Sequence, residues 1–166
     1  PCRILSGGNR HKLFIACAIA SGAPIIFLDE PTVGLDSQSR RQFWGTLLAL
    51  RRLGRTIIMT THYMEEAEVL SDRVAIIDGG TVLKIGTPAQ IIAESGGGMR
   101  VDVPADIISK LKLPPKLSRH DLGQKVRLVG SQKDVDGVAA QAIRLKAEVS
   151  VAKANLEDAF LNLVGG

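Results

Sequence analysis

Aromatic side chains are scarce: they make up 4% of the 166 residues, with one tryptophan, Trp44, and one tyrosine, Tyr63. Any core must therefore be aliphatic. Cysteine occurs twice, at Cys2 and Cys17, too few for a disulfide framework. Cys17 sits among apolar neighbours and is expected to be a buried thiol, which suits a reducing cytosol. No apolar run approaches the ~20 residues that span a bilayer, and no signal-peptide pattern is present. The net charge is +4, yet no basic run exceeds two residues, so the surplus reads as scattered surface charge. Low-complexity tracts and internal repeats are absent.

What is present is ample apolar content, 45% of residues, which excludes global disorder. The length allows one domain, or one with a small addition. The chain begins at Pro1 without a methionine, directly before its first motif, and is expected to be a fragment.

Periodicity orders the elements. Ser6 caps a helix over 7–20, which Gly22 and Pro24 stop. Ile25–Leu28 is a short continuous apolar run, the pattern of a strand buried on both faces of a parallel sheet. A helix over 37–53 carries Phe43, Leu47 and Leu50 on one face, and Gly54 ends it. A strand over 56–61, a short acidic helix over Met64–Leu70 and a strand over 74–77 follow. Asp78-Gly79-Gly80 turns that last strand into another over 81–85. Thr87-Pro88 starts a further helix.

Residues 96–99, Gly-rich, form the one clear linker. Beyond them the pattern restarts: a strand at 100–103, a helix at 105–111, a strand at 125–129, a helix at 135–146, a strand at 148–152 and a closing helix over Leu156–Val164. The expected organisation is residues 1–95 as one α/β unit, the linker 96–99, and residues 100–166 as a small α/β accessory domain.

Asp29 and Glu30 stand where the apolar strand ends. Ligands of open α/β sheets bind at the carboxyl ends of parallel strands. Pro31 bars Glu30 from right-handed helical angles and is expected to hold it in an extended tip. Two adjacent acids there divide the labour: one anchors Mg²⁺ through water, the other orients and deprotonates an attacking water. His62 ends the next strand at equivalent height and faces the same edge, where a histidine bonds a γ-phosphate or steers water. Ser6, Gly7 and Gly8 offer a hydroxyl and bare amides at a helix N-terminus, which suits an anion. Each feature alone is ordinary. No G-x-x-x-x-G-K-[ST] phosphate loop occurs anywhere in the chain.

In order, Leu5-Ser6-Gly7-Gly8-Asn9, Leu28-Asp29-Glu30-Pro31-Thr32, Gly34-Leu35-Asp36 and Thr60-Thr61-His62 resemble the ATP-binding cassette (ABC) ATPases. They are similar to that family's signature loop, Walker B strand, D-loop and switch histidine. Asn9 departs, standing where the family usually has glutamine. The resemblance covers residues 1–95 closely. It implies an α/β fold: a partial P-loop NTPase parallel sheet with flanking helices, then a small α/β C-terminal domain.

By this resemblance Asp29 is the magnesium carboxylate, Glu30 the catalytic base and His62 the γ-phosphate sensor. Asp36 acts across a dimer interface. Ser6, Gly7, Gly8 and Asn9 cap ATP held by the phosphate loop of a second cassette, because two cassettes close head to tail. The implied cofactors are ATP and Mg²⁺. The implied partners are a second ABC ATPase subunit and transmembrane permease subunits, with no nucleic acid. The implied place is the cytoplasmic face of a membrane, held there through the permease. Ser71 to Gly80 looks like the segment after the switch histidine in transporter cassettes. Leu156-Glu157-Asp158-Ala159-Phe160-Leu161 looks like the closing motif of the drug- and polymer-export branch of the daunorubicin-resistance type. An exporter ATPase is therefore the expected parent, with the isolated chain inactive for want of the loop. The alternatives are a non-transport ABC ATPase acting on nucleic acid or ribosomes, and a non-catalytic regulatory module.

Overall fold

A computed structural model of the chain describes residues 13, 16–17, 20–96 and 98–165. They are α/β and fall into two compact units that divide between Glu66 and Ala67. The expected boundary at 96–99 falls inside the second of these.

In the first unit β1 (Ile25–Leu28) and β2 (Thr56–Met59) form a parallel pair, Ile25 opposite Thr56 and Leu28 opposite Met59. The Thr60 N–H extends the ladder to the Leu28 carbonyl at 3.0 Å. Parallel strands need a crossover, and α1 (Ser37–Arg52) supplies it. The Asp36 side chain caps α1 by accepting the Ser39 N–H, and Arg51 and Arg52 sit in its last turn against the negative end of the helix dipole. Gly54, at φ 78°, turns the chain out of the helix. Phe43, Leu47 and Leu50 on one face of α1 are buried, as is Ile26 of β1.

Burial of β1 departs from the expectation of two covered faces. Ile26 is buried, but Phe27 is 73% exposed and Ile25 is exposed too. A continuous apolar run gives no information about which face is covered, and among the described residues α1 is the layer that packs on this two-stranded ladder. Cys17 is likewise exposed rather than buried. Apolar neighbours in sequence bury a thiol only where a second element packs over them.

α2 (Met64–Leu70) runs across the division. In the second unit β3 (Val74–Asp78) and β4 (Thr81–Gly86) make an antiparallel hairpin. Gly79 and Gly80, at φ 52° and 77°, form its two-residue loop; positive φ at both positions matches the twist of the strands. α3 (Pro88–Glu94) follows, with Thr87 and Gln90 in a reciprocal capping box and Pro88 in its first turn.

The rest of this unit is a four-stranded antiparallel sheet in the order β6-β7-β5-β8. Its strands are β5 (Met99–Pro104), β6 (Ser118–Asp121), β7 (Lys125–Gly130) and β8 (Ser150–Lys153). A 3-10 helix (Ala105–Lys110) links β5 toward β6, and α4 (Gln132–Arg144) links β7 to β8. This is the ferredoxin-like β-α-β-β-α-β path, with its first helix reduced to 3-10. The core joins Val101, Val103, Val126 and Leu128 of the sheet to Val135, Val138 and Ala142 of α4. Each of these valine and leucine side chains contributes about 1.5–3 kcal/mol by leaving water. α5 (Leu156–Val164) closes the chain and packs on α3. Its cap residue Asn155 and the fully buried Asp158 form a second capping box.

Candidate nucleotide-hydrolysis site

β1 and β2 run parallel and in register, so their carboxyl ends lie side by side. Three of the expected site residues leave from there. The Thr60 hydroxyl, just past β2, donates to Asp29 Oδ1, just past β1. The Thr60 hydroxyl oxygen in turn accepts the Glu30 N–H at 3.0 Å. One threonine thus fixes both the side chain of the first acid and the backbone of the second. His62 Nδ1 lies 2.8 Å from Glu30 Oε2, with the two side chains 58% and 39% exposed. Asp29, Glu30 and His62 therefore share one solvent-facing edge.

Glu30 is not in an extended tip. Its φ is 45°, in the left-handed region that side-chain-bearing residues rarely enter. Pro31 excludes only the right-handed helical well. Which of the remaining wells is filled was decided by hydrogen bonds. Thr60 holds the Glu30 N–H, and the Glu30 carbonyl accepts the Val33 N–H at 3.3 Å, closing a turn. Backbone strain of this kind, of order 1–3 kcal/mol, persists where surrounding contacts over-determine the conformation, and it clusters at functional positions.

On the far side of that turn, Thr32 is buried and donates to Glu66 Oε2 at 3.2 Å, while Trp44 Nε1–H donates to Glu66 Oε1 at 2.8 Å. On the histidine side, the Tyr63 ring lies 4.1 Å from the His62 ring, and the Arg40 guanidinium stands 4.3 Å over Tyr63. Thr60, Thr32, Trp44 and Glu66 were not among the expected site residues. Thr60 carried the available signal, since it lies in the same Thr-Thr-His run. Glu66 gave none, because an acid in a short acidic helix reads as solvated.

Asp36 serves as the N-cap of α1. It accepts both the N–H and the hydroxyl of Ser39 at 2.8 Å. Those bonds, the backbone one first, hold its carboxyl below the ordinary value of 3.8. Ser6, Gly7, Gly8 and Asn9 lie outside the described residues.

For a divalent cation the donor set is spare. Among the described residues no cluster of three or more His, Cys, Asp or Glu side chains is gathered to hold a metal. Asp29 is exposed, and only one of its carboxylate oxygens is used by Thr60. That fits Mg²⁺, which keeps several waters and is held by one or two carboxylates plus substrate phosphates. It does not fit a cation caged by protein alone.

Similarity to known proteins follows the same lines. No family model matches the chain. It is 36% identical over 165 residues to Nod factor export ATP-binding protein I of Cupriavidus pinatubonensis, covering 98% of this chain and 51% of that protein. It is 34% identical over 175 residues to daunorubicin resistance ATP-binding protein DrrA3 of Streptomyces coeruleorubidus, covering 98% of this chain and 55% of that protein. Among solved structures, a dimeric ATP-binding cassette in a post-hydrolysis state bound to ADP and Pi is 32% identical, with a TM-score of 0.47 over 50% of this chain and 36% of that one. These relatives are 34% to 36% identical over nearly the whole chain, and the chain belongs to the family of ABC transporter ATP-binding proteins. It spans about half the length of the curated relatives it matches. No helix among the described residues is long and apolar enough to cross a membrane.

Proposed function

We propose that this chain is part of an ABC transporter ATPase subunit that hydrolyses ATP to drive export. The observation that carries the reading is the meeting of Glu30 and His62 at 2.8 Å beside Asp29, on the carboxyl edge of a parallel strand pair. Glu30 orients the attacking water and takes its proton as the water oxygen bonds to the γ-phosphorus, while the bond from that phosphorus to the β–γ bridging oxygen breaks and ADP leaves with that oxygen's electron pair. His62, with Nδ1–H on Glu30, turns Nε2 toward the phosphate; in its doubly protonated form both ring nitrogens donate. Asp29 would hold Mg²⁺, and the cation would supply positive charge to offset that of the phosphates. Positioning and electrostatics of this kind are what phosphoryl transfer asks of a protein.

The reading extends to partners. Ser6, Gly7, Gly8 and Asn9 would cap a nucleotide held by the phosphate loop of a second subunit, with Asp36 at the same head-to-tail interface. Residues 1–95 then carry the hydrolytic motifs. Residues 100–166 are read as the accessory domain, whose sheet opens with β5. Transmembrane permease subunits would hold the protein at the cytoplasmic face. The relatives' names, with Nod factor export and daunorubicin resistance among them, support export over action on nucleic acid.

The test is Glu30→Gln in the intact protein. Nucleotide binding should persist while hydrolysis falls ~10²-fold or more, the usual contribution of a general base. Near-normal turnover would make Glu30 a structural acid and end the reading.

A further inference from the structure

The bond between Glu30 and His62 is open to water on both sides. An exposed pair of this kind gains little by itself, in the range of about 0–1 kcal/mol. Its 2.8 Å separation must therefore be set by the frame behind it. Part of that frame is Thr60, which holds the near side of the Glu30 turn. The far side is held by Glu66.

Glu66 is 0% exposed. Burying a carboxylate is costly unless its oxygens are hydrogen-bonded. Among the described residues no cation meets it; its two oxygens accept from the Trp44 indole and the Thr32 hydroxyl. A hydrophobic side chain would pack in such a place at far less cost, so the carboxylate does something that packing does not. It joins three segments at a fixed distance. Thr32 stands two residues after Glu30, inside the turns closed by Val33 N–H on Glu30 and Leu35 N–H on Thr32. Glu66 itself stands four residues after His62, with its N–H on the Tyr63 carbonyl at 3.0 Å. Trp44 anchors both to the middle of α1.

We propose that Glu66 is a positioning residue, whose buried carboxylate clasps the Glu30–Thr32 turn to the His62 segment and so sets the Glu30–His62 separation. This rests on the reading that Glu30 and His62 carry hydrolysis. Glu66 lies behind the reacting edge and acts only through the pair. Directional bonds suit this task. A carboxylate with two acceptor oxygens and donors on two elements fixes both distance and orientation, and small misplacements of reacting groups are costly.

The experiment is a double-mutant cycle in the intact ATP-binding protein, reading kcat and KM for ATP. Glu66→Ala should lower kcat by about tenfold or more, as for a displaced catalytic group, and leave KM little changed. Glu66→Gln should recover most of the loss. Its Oε1 still accepts from Trp44, and its amide donates to Thr32, whose hydroxyl can turn to accept. In a His62→Ala background Glu66→Ala should have no further effect. Trp44→Phe removes one donor, keeps a ring in place, and carries the same comparison if Glu66→Ala does not fold.

If His62→Ala slows hydrolysis but Glu66→Ala costs the same factor with and without it, the clasp is merely structural and this inference is wrong. If His62→Ala leaves hydrolysis unchanged, the functional reading falls and the inference falls with it.

Discussion

His62 Nδ1 and Glu30 Oε2 meet at 2.8 Å although 32 residues separate them in sequence. The meeting follows from the register of β1 and β2: parallel strands aligned residue for residue bring the segments after Leu28 and Met59 to the same level. Thr60 then ties the two ends together through Asp29 and the Glu30 backbone.

That geometry makes His62 a test of geometry rather than of binding. In the intact protein His62→Ala should lower kcat for ATP hydrolysis by ~10-fold or more, as expected when a group that orients the base and meets the transition state is lost. KM should change less. Steady-state kinetics decide it. Equal damage to kcat and to nucleotide affinity would point to a folding defect and not to a missing sensor.

Elements with a strong apolar period were legible in the sequence. Ile25–Leu28, Met64–Leu70 and Leu156–Val164 stand at the expected residues. The hairpin at Gly79-Gly80 was equally legible, because only a primed turn wants two positive φ angles in succession. β6 was not. Its Ser-Arg-His-Asp run has no apolar alternation, and as an edge strand it is held by main-chain bonds to β7. The helix expected at 105–111 is a 3-10 helix, Ala105–Lys110, and α4 starts at Gln132 rather than Val135. The second miss had a signal, the Ser131 cap three residues before Asp134.

At the site, the acids and the histidine were legible as residue types at strand ends. The left-handed angle at Glu30 and the buried Glu66 were not. Both are set by partners distant in sequence, Thr60 for the first and Thr32 with Trp44 for the second. A local pattern carries no record of such partners.

Asp36 gives a prediction with a definite sign. Its folded carboxyl titrates below 3.8, so the ionised form is favoured by folding. The stability it brings is complete above the unfolded value and is lost as pH falls through the lower folded one. Asp36→Ala should therefore be less stable than the parent near neutrality, and the gap should narrow under acid, below about pH 4. Chemical denaturation followed at a series of pH values reads this. A gap that does not change with pH would mean that the cap acts without its charge.

The cross-subunit role assigned to the Ser6 segment predicts a separation of two properties. Ser6→Arg in the intact protein should block ATP-driven dimer closure, because a bulky cation would fill the space where a partner's γ-phosphate docks. Nucleotide binding to the monomer should survive, since the phosphate loop that cradles the β- and γ-phosphates would be untouched. Size-exclusion chromatography of the Glu30→Gln form with ATP provides the readout. A dimer that persists with Ser6→Arg would exclude the cross-subunit role.

The second unit invites a stability prediction of its own. The Arg127 guanidinium bonds Asp102 through Nε at 2.9 Å and through a second nitrogen at 3.2 Å, and reaches Glu157 and Asp158 with its third. Its side chain is only 11% exposed and Asp158 is fully buried. The bonds to Asp102, opposed by burial and aided by Glu157, raise the guanidinium further above its already high ordinary value. Arg100 also reaches Asp158, at 3.3 Å, but one guanidinium does not replace two. Arg127→Ala leaves Asp102 and Asp158 short of positive charge in a half-dry site. The cost should be about 3 kcal/mol, the low end for breaking a buried pair from one side. Replacing Arg127 and Asp102 together, by Met and Leu, should recover part of that cost, because burying matched apolar groups removes the orphaned charge. Thermal or urea unfolding of the single and double variants measures both. If the double variant is as unstable as Arg127→Ala, the orphaned Asp102 charge is not the source of the loss.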